Sequence, residues 1–325
     1  MLLLDEQDVL QVLDVGRAID ELRGALGEQA RGQVQMPPRQ TTDVQEGGHW
    51  LRISQAFLNG SGYMGFKAMN RAAGLGMRYL INLYRIETGE LLSVMDANWI
   101  TTRRTAATSA LGTHLLAGDT ERTVGIIGTG VQARAFAAAY ASLRSLDEIV
   151  VFSPRPPSRD EFARDLSAEL GITVTPVESA RAVAEACLTT AVAIRAPREP
   201  VFEAAWLRSG AHVTGLSSVR AEAREVEDEV WRCSDVVIVD DRGTVSQSGD
   251  GRAAGDAGVD LGTVAELWEL EAGAVGRESA EQITLFKSAG NAMQDVAVAV
   301  GVYNLAVERA IGRDMGAFPA IKPYA

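Results

Sequence analysis

Residues Gly128 to Ala133 read GTGVQA and have the spacing G-x-G-x-x-A. An apolar run that ends at Ile127 comes before them, and an alanine-rich helical pattern follows as far as Leu143. In such a strand, turn and helix, the first glycine permits a tight turn and the second lets the backbone approach a pyrophosphate. The alanine lets the helix pack against the strand, and free N–H groups at the helix start attract phosphates. The pattern predicts a dinucleotide site at Gly128, Thr129, Gly130, Val131 and Gln132.

The residues after the next predicted strand, EIVVF, indicate which dinucleotide the site binds. A site that prefers NAD has Asp or Glu there, about 20 residues after the glycine turn, to bind the ribose 2′-hydroxyl. Here the chain continues Ser153-Pro-Arg155, which offers a hydroxyl donor and a cation to a 2′-phosphate. We therefore expect NADP(H), with NAD(H) as the alternative if Arg155 is an ordinary loop residue.

Three cationic residues form a second group that could do chemistry. Arg39 follows Met-Pro-Pro, Lys67 lies in the mostly apolar string GFKAM, and Arg104 lies near the start of a predicted helix. A half-buried lysine on a strand needs a partner, and a cation at a helix N-terminus opposes the helix dipole unless an anion is present. A guanidinium can hold a planar carboxylate through two hydrogen bonds. Either arginine taken alone is more typical of a solvated surface.

The composition gives little support to other chemistry. With three histidines and only Cys187 and Cys233, we expect no metal site and no catalytic triad. The net charge of −12 argues against a nucleic-acid partner or an anionic membrane surface. No apolar run approaches the ~20 residues of a membrane span, and the N-terminus lacks the segments of a signal peptide. We therefore expect a cytoplasmic protein with two buried, reduced thiols.

Apolar periodicity before the glycine turn predicts a domain of the α+β class. It indicates an amphipathic helix at 15–30 and a β-hairpin at 77–95. Thr101 or Thr102 is the expected cap of the next helix, which stops at Gly118.

From Thr123 onward the pattern alternates between strands and helices. Strands are expected at 124–127, 148–152, 172–176, 188–194, 211–216 and 236–240. This alternation predicts an α/β fold with a Rossmann-type doubly wound parallel sheet. A long helix at 288–311 is expected to return to the first domain. We therefore predict a dinucleotide-binding domain at 119–288 and a second domain at 1–118 with 289–325.

Several strings occur in the order found in the ornithine cyclodeaminase/mu-crystallin family, and the chain resembles that family from about Ala18 to Arg309. They are MPPR, GFKAMN, ETGELLSVMDANWITTRRTAA, GIIGTGVQA and TLFKSAGNAMQD. The resemblance implies a homodimer in which the first domain carries the dimer contacts and the substrate groups. It also implies that the nicotinamide lies in the cleft between the domains.

The same resemblance implies that Arg39, Lys67 and Arg104 bind the carboxylate of a small amino or imino acid. The family pattern places its arginine directly before Thr-Ala-Ala, which selects Arg104 rather than Arg103.

Residues Lys287 and Ser288 resemble the family's loop near the nicotinamide, although Ser288 is also suited to cap a helix. Asp295 resembles the family's acidic position on the last helix, and a solvated or dimer-facing role is equally open. His212 begins a predicted strand, so we expect it to be structural.

The string HVTGLSSVRAEAREV departs from the pattern of the family's cyclodeaminases. Those enzymes carry an aspartate just past this strand, which assists the amino group during oxidation and ring closure. Aligned without a gap, that position is Val219, which cannot accept a proton; a small gap would place Glu222 there. The string looks more like the mu-crystallin form, whose activity is the reduction of cyclic ketimines with NADPH.

The leading hypothesis is an NADP(H)-dependent oxidoreductase that reduces an imine of a small amino-acid-like substrate or oxidises the matching amine. Arg39 and Arg104 would bind the carboxylate, and Lys67 would give a proton or a hydrogen bond to the reacting nitrogen. One alternative is an ornithine cyclodeaminase or an alanine-dehydrogenase-like oxidative deaminase, with Glu222 as the acid/base. Another is a non-catalytic, crystallin-like protein that holds a nucleotide and a small ligand.

Overall fold

The computed structural model describes residues 1–44, 48–195, 197–216 and 220–322. The chain divides into two compact units, Met1–Arg104 with Asn291–Ala325 and Thr105–Gly290. The sequence predicts the first boundary after residue 118, whereas this division falls within a continuous helix.

The elements up to Leu116 are β1 (Leu2–Leu4), α1 (Glu6–Val12), α2 (Val15–Ala30), β2 (Val34–Gln35), β3 (Gln40–Asp43), β4 (Trp50–Leu58), β5 (Tyr63–Ala72), β6 (Gly76–Arg85), β7 (Leu91–Asp96) and α3 (Asn98–Leu116). The next elements are β8 (Thr123–Ile127), α4 (Val131–Leu143), β9 (Glu148–Phe152), α5 (Pro156–Leu170), β10 (Thr173–Pro176), α6 (Ala180–Ala186), β11 (Thr189–Val192), a 3₁₀-helix (Ala204–Trp206), β12 (His212–Gly215), α7 (Asp228–Cys233), β13 (Val236–Val239), α8 (Arg242–Val245), α9 (Gly249–Asp256), β14 (Ala265–Glu266), α10 (Leu267–Glu271) and β15 (Thr284–Lys287). The last are α11 (Ala292–Glu308) and β16 (Arg313–Asp314).

The first unit is built on a mostly antiparallel sheet in the order β16-β1-β7-β6-β5-β4-β2, with β3 also paired to β4. The register places Ser54 of β4 opposite Lys67 of β5, and Lys67 opposite Ile81 of β6. Because side chains alternate along a strand, these residues share one face of the sheet. A β-carbon at Gly65, two residues before Lys67, would lie 3.3 Å from Val296 on α11. The face that carries Lys67 is therefore covered by α11.

The start of α3 differs from the sequence prediction. The helix begins at Asn98, whose backbone N–H donates to Asp96 Oδ1 at 2.9 Å. Thr101 and Thr102 therefore lie inside the helix, and the prediction that they cap it is wrong. A side chain two residues upstream already satisfies a free N–H group of the first turn, so the helix can begin earlier. The predicted helix at 15–30 and the hairpin at 77–95 agree with α2, β6 and β7.

The second unit contains a parallel sheet in the order β10-β9-β8-β11-β12-β15-β13-β14. Around β8 the order is that of a doubly wound Rossmann-type sheet, so the predicted fold class is confirmed. The strand β15, which is inserted between β12 and β13, is not among the predicted strands. The expected helix start at Ser288 is also wrong, because α11 begins at Ala292 with Asn291 as its cap. The Asn291 side chain accepts from Gln294 N, and this reciprocal cap fixes the start.

Residue His212 is fully buried at the start of β12 and bridges neighbouring threonines. Its Nδ1 lies 2.8 Å from Thr284 Oγ1, and its Nε2 lies 2.7 Å from Thr214 Oγ1. Burial lowers the pKa of His212 to about 3, so the imidazole is neutral at physiological pH. These contacts agree with the expected structural role.

The two thiols differ in exposure. Cys187 is buried, but Cys233 is exposed at the end of α7, so the prediction of two buried thiols is wrong for Cys233. The buried side of this short helix is formed by Val230 and Trp231, and Cys233 lies beyond it. No helix within the described ranges is both long enough and apolar enough to cross a membrane.

Candidate active site

The glycine turn after β8 contains two glycines with different functions. Gly128 has a φ of +127°, and a β-carbon there would collide with the carbonyl oxygen of Ala193. Gly130 is the N-cap of α4 with a φ of −86°, and a β-carbon there would meet nothing within 4 Å. The fold therefore requires glycine at position 128 but not at position 130. The small size of Gly130 leaves space beside the helix N-terminus that a pyrophosphate could occupy.

A second feature of this turn also fits a ligand. Oε1 of Gln132 is buried and has no hydrogen-bond partner among the described residues. Buried acceptors are normally paired, so this oxygen fits a donor supplied by a bound molecule. Val131, next to it, is 62% exposed although it is apolar. Thr129 lies between the two glycines and is half-buried. The residues present therefore fit the dinucleotide that the sequence pattern predicts.

Residues Ser153 and Arg155 follow β9, the parallel neighbour of β8. Parallel strands end at the same edge of a sheet, so both residues lie on the edge that carries the glycine turn. Ser153 is buried, and Arg155 is exposed directly before the first residue of α5. A cation at a helix N-terminus is unfavourable unless an anion is bound near it. This position suits a 2′-phosphate.

The side chain of Lys287 lies inside the second unit, fully buried. Its Nζ donates to Glu225 Oε2 and, at 2.7 Å, to Asp250 Oδ2. Burial alone would lower the pKa of Lys287, but the two carboxylates raise it above its usual range. The ammonium is therefore held by protein carboxylates. Ser288 is also buried, and its Oγ donates to Asp240 Oδ2 at 2.8 Å.

The segment after β12 carries the residues predicted to decide between imine reduction and cyclodeamination. Val219 lies outside the described residues. Glu222 is 60% exposed, and its carboxylate lies 4.0 Å from the guanidinium of Arg220. The role of Glu222 as an acid/base stays a prediction.

The first unit brings Lys67 and Arg104 together around one carboxylate. Lys67 Nζ lies 2.6 Å from Asp295 Oδ2, and Arg104 Nε lies 2.9 Å from Asp295 Oδ1. Arg104 also donates from Nη1 to Gln294 Oε1 at 3.0 Å. Lys67 further lies 3.5 Å from Thr101 Oγ1. We call Lys67, Arg104 and Asp295 the cationic cluster, because its charges sum to one surplus positive charge.

Three secondary-structure elements from distant parts of the sequence build this cluster. Lys67 comes from the middle of β5, Arg104 from the second turn of α3, and Asp295 from the first turn of α11. All three side chains are more than nine-tenths buried. Asp295 is therefore neither solvated nor free for a dimer contact. The sequence left its role open, because nothing in the helix pattern distinguishes a buried acid from an exposed one.

The ammonium of Lys67 is unusually acidic. Burial lowers its pKa to about 8, the nearby Arg104 guanidinium acts in the same direction, and Asp295 opposes both. A lysine with this pKa can exchange a proton near neutral pH, which an ordinary surface lysine does poorly.

The other two arginines near this site differ in their surroundings. The guanidinium of Arg103 lies over the ring of Trp99, 5.8 Å from its centre, whereas Arg104 reaches Asp295. Arg39 is half-buried and directly precedes β3. Gln40 at the start of β3 pairs with Ile53 of β4, and Ser54, the next residue of β4, pairs with Lys67. Arg39 is therefore at the end of β3 that leads towards Lys67.

Removal of the Asp295 carboxylate tests whether the stability of the protein depends on charge compensation within the cationic cluster. Asp295→Ala leaves two buried cations without their shared partner, so we expect unfolding to require about 3–5 kcal/mol less free energy. Lys67→Met in the same chain removes one of the two cations. The double variant should therefore be more stable than Asp295→Ala alone, as measured by urea unfolding of the four proteins of the cycle. Additive losses would show that Lys67 and Asp295 are not coupled.

Known proteins are similar to this chain over most of its length. Ketimine reductase mu-crystallin of Mus musculus is 32% identical over 223 residues, 68% of this chain and 67% of that protein. The solved Δ1-pyrroline-2-carboxylate reductase of Thermococcus litoralis, in complex with NADH and L-proline, is 33% identical. That comparison covers 97% of this chain and 100% of the other, with a TM-score of 0.90.

An archaeal alanine dehydrogenase dimer with bound NAD is also similar. It is 29% identical, with a TM-score of 0.89, and the comparison covers 98% of this chain and 99% of the other. The sequence profile of the ornithine cyclodeaminase/mu-crystallin family matches residues 1–310. The resemblance predicted from the five sequence strings is therefore confirmed, and the chain belongs to the ornithine cyclodeaminase/mu-crystallin family.

Proposed function

We propose that the protein is an NADP(H)-dependent oxidoreductase that reduces the imine of a small amino-acid-like substrate, or oxidises the matching amine. The observation that carries this proposal is the cationic cluster. It is buried, it has one surplus positive charge, and one of its members, Lys67, has a lowered pKa. Similarity to a ketimine reductase and to a pyrroline-2-carboxylate reductase supports the same reaction.

The surplus charge of the cluster determines the class of substrate. A buried charge without a counter-ion is costly, so the site favours a ligand that brings one negative charge. An α-carboxylate brings that charge in a planar group that a guanidinium can bind. The protein bonds of Arg104 use Nε and Nη1, and we assign Nη2, with Arg39, to the substrate carboxylate. The L-proline bound by the Thermococcus litoralis enzyme is an amino acid of this class.

In our proposal Lys67 handles the proton of the reaction. When bound, the nicotinamide supplies a hydride to the imine carbon. The imine nitrogen then needs one proton to complete the amine, and the Lys67 ammonium donates it, which leaves Lys67 neutral. Asp295 keeps this ammonium in place and keeps its pKa from falling further. Amine oxidation would run the same steps in reverse, with neutral Lys67 as the base.

The nucleotide would be bound by the edge of the second unit. We assign the pyrophosphate to Gly128, Thr129 and Gly130 with the N–H groups of Val131 and Gln132, and the 2′-phosphate to Ser153 and Arg155. The similar solved enzymes contain NADH or NAD, so the choice of NADP(H) rests on Arg155 and on the lack of a carboxylate at the end of β9. Ser288 and the backbone of Lys287 would lie towards the nicotinamide.

The alternatives differ in the residues that they require. A cyclodeaminase or alanine-dehydrogenase-like deaminase would use Glu222 as the acid/base. Similarity to the archaeal alanine dehydrogenase supports this alternative. The exposure of Glu222 favours Lys67 for proton transfer. A non-catalytic binding protein would have no use for a buried lysine of lowered pKa.

We also propose that the protein acts as a homodimer through the open face of the sheet in the first unit. Ile53, Ala68 and Leu80 are directly paired on the face opposite Lys67, and Leu51 lies beside them. Leu51, Ile53 and Leu80 are 46%, 37% and 40% exposed, so they form an apolar patch of the kind that marks an interface. Leu80→Glu should give a monomer by analytical ultracentrifugation, and an unchanged mass would rule out this face.

The cofactor assignment is tested at Arg155. Arg155→Ala should weaken NADPH binding by about tenfold or more, because a charge-assisted hydrogen bond is lost, and should change NADH binding little. Gly130→Val is the matched control. Its side chain enters open space in the free protein, so it should abolish binding of both cofactors without loss of stability. Equal losses of NADPH and NADH binding in Arg155→Ala would contradict the assignment.

The proton role of Lys67 predicts the pH dependence of reduction. The protonated form is required, so kcat/KM should fall as the pH rises through about 8. Asp295→Asn removes the charge that raises the pKa of Lys67, so the alkaline limb should move to lower pH. The same substrate is used with both enzymes, so its own titration cannot cause a displacement. A limb that does not move would exclude Lys67 as the titrating group.

The same lowered pKa affects stability. Between about 8 and 10.5 the unfolded chain binds more protons at Lys67 than the folded chain, so the free energy of unfolding contributed by this group rises with pH in that window.

A further inference from the structure

Three neighbouring strands of the second unit end together beside the dinucleotide edge. Gly215 at the end of β12 pairs with Lys287 of β15, and Lys287 pairs with Val239 of β13. The turn Ser288–Gly290 leaves β15 at this point. It therefore emerges from the same edge of the parallel sheet as the glycine turn after β8.

Asp240, the residue after β13, binds this turn with both carboxylate oxygens. Oδ2 accepts from Ser288 Oγ at 2.8 Å and from Gly290 N at 2.7 Å, and Oδ1 accepts from Ala289 N at 2.9 Å. Asp240 is only 2% exposed, so these bonds are sheltered from water. A buried carboxylate in this arrangement holds a backbone segment in one conformation.

A second buried group anchors the strand from which the turn starts. The ammonium of Lys287 is bound by Glu225 and Asp250, and the Asp250 carboxylate also accepts from Glu225 N at 2.8 Å. A β-carbon at Gly215 would lie 2.6 Å from Glu225 Oε2. The end of β12 is therefore packed closely against the Glu225 carboxylate that binds Lys287. The turn is fixed at both ends.

The strand order indicates which part of the cofactor the turn would meet. In our proposed function the 2′-phosphate lies at β9 and the pyrophosphate at β8. A dinucleotide extends across the point where the strand order reverses, so its other half lies over β11, β12 and β15. That half carries the nicotinamide.

The groups that the turn can offer to a ligand are also determined. The N–H groups of Ala289 and Gly290 donate to Asp240, and Ser288 N donates to Gly215 O at 2.9 Å. The three backbone N–H groups of the turn are therefore used within the protein, and its carbonyl oxygens and the Ser288 hydroxyl oxygen can only accept from a ligand. Carbonyl oxygens are acceptors, and the carboxamide of nicotinamide carries an NH2 donor.

We propose that Asp240 is a positioning residue that holds the Ser288–Gly290 turn against the nicotinamide half of the cofactor. This proposal rests on the proposed function. Asp240 itself touches neither cofactor nor substrate, and it acts through the turn.

The test compares NADPH with 2′-phospho-ADP-ribose, which lacks the nicotinamide. In Asp240→Asn we expect the affinity for 2′-phospho-ADP-ribose to stay within about twofold of the unmodified protein. The affinity for NADPH and the single-turnover rate of hydride transfer should each fall at least about fivefold, the factor expected for a lost buried hydrogen bond. Ser288→Ala removes only one donor to Asp240. It should lower the NADPH affinity and the transfer rate in the same way, and it replaces Asp240→Asn in the test if that variant does not fold.

Asp241→Asn is the matched control. Its carboxylate accepts from Thr244 N at 2.6 Å and caps α8, next in sequence to Asp240. It should leave both affinities and the transfer rate unchanged. Unchanged values in Asp240→Asn, or an equal loss of both ligands, would overturn the positioning role. If the unmodified protein binds neither ligand, the proposed function itself fails, and the positioning role fails with it.

Discussion

The cationic cluster of the first unit depends on one interaction, the pairing of the buried Asp295 carboxylate with both Lys67 and Arg104. Two buried cations would repel each other without it, and no other described acid is bonded to either of them. With it, the cluster is one negative charge short of neutrality. A substrate carboxylate can supply that charge, so one arrangement holds the two buried cations together in the free protein and favours an anionic ligand.

The second unit uses buried carboxylates in a related way. Glu225 and Asp250 surround Lys287, and Asp240 binds the turn that follows it. Buried ion pairs add little net stability, because the charges lose their hydration. Their value here is geometric. They fix strand ends and a turn at the edge where a Rossmann-type sheet binds its ligand.

The sequence predicted the features that depend on local pattern. The glycine turn, most strands of the parallel sheet, α2 and the hairpin of β6 and β7 follow from periodicity and turn residues. The strand β15 was missed because its four residues are a short run directly before the predicted helix at 288–311, and no strand was assigned to them. The start of α3 was misplaced because Asp96, whose side chain accepts from Asn98 N, lies at the end of a strand, where the pattern gave no reason to look for such a bond.

The partners of charged residues were harder to predict. Lys67 was expected to need a partner, but that partner, Asp295, lies far along the chain on another element. Lys287 was assigned to the cofactor from its sequence string, although its ammonium is bound by Glu225 and Asp250. Such pairs depend on how strands and helices pack, which a single sequence does not encode at any fixed spacing.

The central claim is that the protein transfers hydride to the carbon of a carboxylate-bearing imine. The most direct measurement uses NADPH with deuterium at both C4 positions of the nicotinamide and a cyclic imino acid, followed by mass spectrometry and NMR of the product. We expect one deuterium at the α-carbon of the cyclic amino acid, with NADPH oxidised in equal amount and no ammonia released. Deuterium absent from that carbon, or NADPH that binds but is not oxidised by cyclic or open-chain imino acids, would contradict this account.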